Sequence, residues 1–147
     1  PLGEALQVAM DLRERIEIVH TSEYANFLAK LFPAFKNLLL VRIPISFHDD
    51  DANKFRHVIL EILNRLPNNE VLKPYTTELL HLATEVLSHD NEENALTCLR
   101  IIFDLHKNYR PGLRNEVQVF LDLVQRIYKG LKGAVTTTFA PSMSPSQ

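Results

Sequence analysis

Residues 91–111 read NEENALTCLRIIFDLHKNYRP. Within them Ala95, Leu96, Cys98, Leu99, Ile101, Ile102, Phe103 and Leu105 occupy much of the circumference of a helix at 3.6 residues per turn. The stretch therefore predicts a central helix covered on more than one side. Asp90 with Glu93 three residues on has the form of a capping box, in which cap and third residue each satisfy a free backbone amide. Asn108-Tyr109-Arg110-Pro111-Gly112 then breaks the chain.

Working upstream, Leu72, Tyr75, Leu79, Leu82, Ala83, Val86 and Leu87 form the apolar face of a fourth helix. Pro74 sits at its start, where a missing amide hydrogen costs nothing. Leu66-Pro67-Asn68-Asn69 ends a third helix, whose stripe is Phe55, Val58, Ile59, Ile62, Leu63 and Leu66 and whose cap is Asp50 or Asp51. Before it, Pro44 and His48-Asp49-Asp50-Asp51 read as a loop. Thr21 or Ser22 caps a second helix carrying Tyr24, Phe27, Leu28, Leu31, Phe32, Phe35, Leu38 and Leu39. Its interior Pro33 removes a hydrogen bond and predicts a kink or division near Phe32. Leu2, Ala5, Ala9, Leu12, Ile16 and Val19 mark a first helix. Downstream, Val117, Phe120, Leu121, Val124, Ile127, Tyr128 and Leu131 mark a sixth, and the pattern stops after Lys132.

The prolines of alternate helices, Pro33, Pro74 and Pro111, recur at about 40 residues, the length of a HEAT or armadillo hairpin. Such a hairpin cannot bury its apolar face alone, so neighbours stack into a continuous core. The expected fold is all-α, a HEAT-like helical-hairpin solenoid of about six helices in three pairs over residues 1–132. Residues 133–147 read as a flexible Ser/Thr/Pro-rich tail or linker. The rival architecture is a compact six-helix bundle, which the same short connections would also suit.

Composition is that of an ordinary globular chain: 147 residues, 46% hydrophobic, 23% charged and a net charge of -2. The near-neutral balance argues against a general polyanion binder. No stretch approaches the ~18 apolar residues of a membrane span, and the first residues lack a signal-peptide pattern. The lone Cys98 cannot form an intramolecular disulfide, which points to a reducing compartment.

No motif carries chemistry. Gly3, Gly112, Gly130 and Gly133 form neither a phosphate loop nor a dinucleotide fingerprint. Cys98 and His106 are eight positions apart, and Cys98 lies in an apolar helix, where a thiol behaves as a small hydrophobe. His48-Asp49-Asp50-Asp51 lacks the spacing and glycine of a calcium loop and the paired-ligand spacing of a zinc site. His20, His57, His81, His89 and His106 show no pairing. The expectation is no catalytic residue, no cofactor and no metal. One asymmetry remains: residues 104–147 hold six basic residues against three acidic, and residues 1–103 hold ten against fifteen. Lys107, Arg110, Arg114, Arg126, Lys129 and Lys132 are therefore the candidate partner-binding residues, able to steer an acidic protein.

NEENALTCLRIIFDLHKNYRP, together with EILNRLPNNEVLKPY at Glu61 to Tyr75, HTSEYANFL before them and VQVFLDLVQRIYK after them, resembles a segment near the N-terminus of the TRRAP family. These are the very large pseudokinase scaffolds of transcriptional co-activator complexes, and the segment looks most like a plant member. The resemblance covers about Leu6 to Lys129. It implies a HEAT-type solenoid, nuclear residence and membership of a histone acetyltransferase assembly. The partners it implies are transcriptional activators and other complex subunits, without direct nucleic acid, membrane or small-molecule substrate. It also implies no catalysis, because the family's kinase-like domain lies at the far C-terminal end and has lost its phosphoryl-transfer residues. An adaptor for transport or phosphatase assembly, built from the same repeat, is the second reading.

Overall fold

Tyr24, Leu28, Phe32, Phe35 and Leu39, spaced four, four, three and four apart, are all buried on one stripe of a single long helix. That stripe shows how periodicity builds the molecule. A computed structural model describes residues 1–16, 21–41, 51–114 and 116–138, apart from the side chains of 21 and 134–138. Its helices are α1 (Leu2–Arg15), α2 (Thr21–Leu40), α3 (Asp51–Asn64), α4 (Thr76–Leu87), α5 (Glu92–Tyr109) and α6 (Val117–Thr138). There is no strand among the described residues. The chain divides into two units, Pro1–Arg114 and Asn115–Gln147.

In the first unit α3 packs against both α1 and α5, so these three helices form one layer. The second layer holds α2 and α4, in contact with each other, and α4 also packs extensively on α5. Such a layered stack of hairpins is the helical solenoid that the 40-residue period predicts. Tyr109 Oη donates to Asn69 O at 2.9 Å across 40 residues of sequence, and Tyr24 Oη to Pro67 O at 2.9 Å across 43. Lys36 pairs with Glu78 across 42. Between α1 and α3 the offset is longer: Arg13 pairs with Glu61 across 48 residues, and Arg65 Nη1 donates to Arg13 O at 3.3 Å across 52.

The core includes Leu6, Ala9 and Ile16 from α1 and the residue after it, the α2 stripe, Val58, Ile59, Leu60, Ile62 and Leu63 of α3, Leu79, Leu80, Leu82, Ala83 and Val86 of α4, and Cys98, Ile101, Ile102 and Leu105 of α5. Burying each large aliphatic side chain is worth about 1.5–3 kcal/mol, so this core supplies the main stabilising term. Two departures from the periodic reading stand out in α1. Leu6 is buried although the pattern omitted it, whereas Leu2 and Ala5 are exposed. Only Leu6 and Ala9 of α1 are buried, a narrower stripe than its apolar pattern.

Pro33 does not divide α2, which continues from Thr21 to Leu40. The proline lies on the exposed face, where the carbonyl one turn back can turn to water. Phe32 and Phe35, buried on either side of it, hold both halves on one stripe. Pro74 belongs to a 3-10 turn, Lys73–Tyr75, that leads directly into α4. The Tyr75 ring meets Phe32 edge-on with centroids 5.4 Å apart.

The start of α5 differs from the expected capping box. Asn91, one residue later than the Asp90 of that reading, is the cap, accepting from Asn94 N at 2.9 Å. Asp90 is drawn away by Arg56, as described below. In the second unit α6 runs to Thr138, six residues beyond the end of its apolar pattern. Adding residues to an existing helix needs no new nucleus. The possible cap at Asp50, the loop at Pro44 and His48, and the tail from 139 onward lie outside the described residues.

Candidate protein-docking surface

Any docking surface of a stacked-helix protein depends on how firmly its repeats are locked, and here one buried cation does much of the locking. Arg56, on α3, is 7% exposed at its side chain, and Asp90, between α4 and α5, is 8% exposed. The guanidinium donates to both Asp90 Oδ2 and three main-chain carbonyls at the end of α2: Leu38 and Leu39 at 3.1 Å and Val41 at 3.0 Å. Helix ends leave their last carbonyls without intrahelical partners, so Arg56 satisfies α2 while tying it to α3 and α5. Burial alone would raise the Asp90 carboxyl. The hydrogen bonds from Arg56, the Asn94 side chain and the Asn91 amide outweigh it and hold the group below the ordinary carboxylate range.

The seam continues along the same layer. Asn94 Nδ2 donates to Asp90 Oδ1 at 3.0 Å, which leaves Asn94 Oδ1 as an acceptor facing His57 Nδ1 at 3.0 Å. The tautomer assigned by this network therefore carries a proton on Nδ1. His57 Nε2 lies 3.5 Å from Glu61 and 3.6 Å from Glu93, and Glu61 in turn holds Arg13 on α1. One polar chain thus links α1, α3 and α5.

The six candidate cations fall into two groups, one in each unit. Lys107 on the last turn of α5, Arg110 in the 3-10 turn Arg110–Leu113, and Arg114 just after it are all exposed, at intervals of three and four residues. Arg126, Lys129 and Lys132 are exposed on α6. Arg13, Lys36, Arg56, Arg65 and Lys73 are each engaged by a carboxylate. Lys107, Arg110, Arg114, Arg126 and Lys129 have no such partner among the described residues, so their charge is open to another molecule.

Periodicity assigned Leu96 and Phe103 to the core, yet they are 52% and 60% exposed. They lie seven residues apart on one side of α5, with Lys107 four residues further along the same stripe. That side is exposed, and it joins apolar surface to the charge of Lys107. A helix apolar around much of its circumference offers no clue to which of its apolar residues stay exposed. Next to the cations, Asn68, Asn69, Lys73, Thr77, Asn108 and Tyr109 help line a polar cleft of about 420 Å³ between two successive inter-helix turns.

Cys98 is wholly buried on α5. Burial, reinforced by the charge of Asp90, pushes its thiol up to about 12, which disqualifies it as a nucleophile. Its expected role in packing is the one the geometry supports.

No family model matches the chain, and no solved structure does. Several curated proteins match almost all of it. The "Probable transcription-associated protein 1" of Dictyostelium discoideum is 48% identical over 137 residues, which is 93% of this chain and 3% of that protein. The human "Transformation/transcription domain-associated protein" is 38% identical over 135 residues, 91% of the chain and 4% of the relative. The Saccharomyces cerevisiae "SAGA complex/NuA4 acetyltransferase complex subunit TRA1" is 30% identical over 131 residues, 88% of the chain and 4% of the relative. This chain therefore spans only a few hundredths of the length of these relatives. With alignments at 30–48% identity running through nearly every helix, the chain is homologous to one segment of the proteins named as the transcription-associated TRRAP/Tra1 family.

Proposed function

We propose that the chain is a non-catalytic scaffold segment of a nuclear transcriptional co-activator, docking activators or neighbouring subunits of a histone acetyltransferase complex. The observation that carries this reading is the likeness, along 88% of the chain, to a protein named as a subunit of the SAGA and NuA4 acetyltransferase complexes. Two features of the fold support it. The Arg56 seam fixes successive repeats against one another, so a surface spread over several helices keeps its shape. Lys107, Arg110 and Arg114 present positive charge at the exit of α5, with no carboxylate partner among the described residues, suited to an acidic protein surface.

The mechanism is recruitment. Binding one partner through the stacked surface while the complex carries an acetyltransferase raises the local concentration of that enzyme where the partner sits. The reacting groups belong to the recruited enzyme, and this segment contributes shape and charge.

The test is to tag the full-length gene product in its own cells, purify it from nuclear extract and assay the eluate for histone acetyltransferase activity. Co-purifying activity is expected, and charge reversal at Lys107, Arg110 and Arg114 together should lower the yield of an acidic partner several-fold, with a weaker salt dependence. A clean nuclear preparation without acetyltransferase activity overturns the reading.

A further inference from the structure

The end of α3 leaves one polar atom unmatched. Asn64 Oδ1 is buried and takes part in no hydrogen bond with the protein. An amide oxygen carries two lone pairs, and burial without a donor is costly enough that native proteins rarely leave it so. Asn64 is also one of the residues lining a small cavity of about 10 Å³ between α3, α4 and α5. Leu63, Leu79 and Leu105 supply apolar walls, while Asn68 and Asp104, both exposed to solvent, are the other polar residues of the lining.

Two independent observations coincide at this point: an unsatisfied acceptor and a space of matching size. A single water needs roughly 10–15 Å³ of such space and two to four polar neighbours. A hard cation would need six or more oxygen ligands, which three polar residues cannot supply. An organic ligand has no room. Exchanging the amide oxygen and nitrogen of Asn64 would place an unmatched donor there instead, and water can meet either.

We propose that this cavity binds one water molecule, which donates to Asn64 Oδ1, directs its remaining hydrogen bonds to Asn68 and Asp104, and forms a structural part of the seam between the second and third repeats. The site lies where α3 of one hairpin meets α5 of the next. The water serves as a polar joint in a contact that is otherwise aliphatic, and it lets the α3 terminus end beneath α5 without an unpaired group.

A crystal structure of the 147-residue chain at about 1.5 Å or better tests this directly. A density peak about 2.7–3.1 Å from Asn64 Oδ1 is the expected result. In solution, water relaxation dispersion should count one long-lived water fewer in Asn64→Leu than in the parent chain, and the same number in Asn64→Asp. An empty cavity, an Asn64 side chain turned onto a protein partner, or an unchanged dispersion amplitude in Asn64→Leu overturns the proposal. The crystal measurement uses the unaltered chain, so it stands even if the leucine variant fails to fold.

Discussion

Arg56 is a charged residue in the middle of an apolar stripe, and its value to the fold comes from having every donor engaged. Removing one partner of a buried pair leaves an uncompensated charge, which costs about 3–5 kcal/mol. Arg56→Leu and Asp90→Leu should each lower stability by about that much in urea titrations, and the double variant by much less than the sum. The same pair gives a pH dependence. The folded carboxyl of Asp90 lies below its unfolded value of about 3.9, so its contribution is complete above that pH and is lost as pH falls through the folded value. The urea midpoint should fall on acidification below about pH 4, less steeply in Asp90→Asn. Cys98 offers a simpler check. With its thiol pushed up to about 12 and no exposed surface, it should resist a thiol reagent at pH 8 until the chain unfolds.

At the scale of the element, α2 and α5 carry the informative contrasts. An interior proline is about 3 kcal/mol less favourable than alanine in a helix. Because α2 runs on through Pro33 with its buried stripe intact, Pro33→Ala should stabilise the chain by about 1–3 kcal/mol, read from denaturant midpoints. At the start of α5, Asn91→Ala should cost about 1 kcal/mol through loss of the bond to Asn94 N, whereas Glu93→Ala should cost much less. That pair of variants distinguishes the observed cap from the capping box suggested by Asp90 and Glu93. The sequence could not make the distinction, because the competitor for Asp90 is an arginine 34 residues away.

For the whole molecule, the two units differ in how much they bury. In α3, α4 and α5 most turns contribute buried side chains, whereas among residues 117–133 of α6 only Leu123 is buried. Amide protection follows buried contacts. Hydrogen exchange should therefore be slowest in peptides from α3 to α5 and markedly faster along α6. The sequence alone determined that the chain is helical, that its hairpins recur at about 40 residues, and which family it resembles. Those properties follow from local periodicity and from residues read in order. Most of the core was legible for the same reason: Tyr24, Phe32, Ile59, Ile62, Leu79 and Ile102 face inward wherever the stack is placed. Only the tertiary structure decided that Leu96 and Phe103 lie outside the core, that α2 passes through its proline, and which candidate cations lack a carboxylate partner. It also decided that Arg56 lies buried against Asp90 and the end of α2, and that Asn64 faces a cavity. Each depends on which neighbour reaches a given side of a helix, and that is fixed by contacts between residues far apart in the chain, which helical periodicity does not encode.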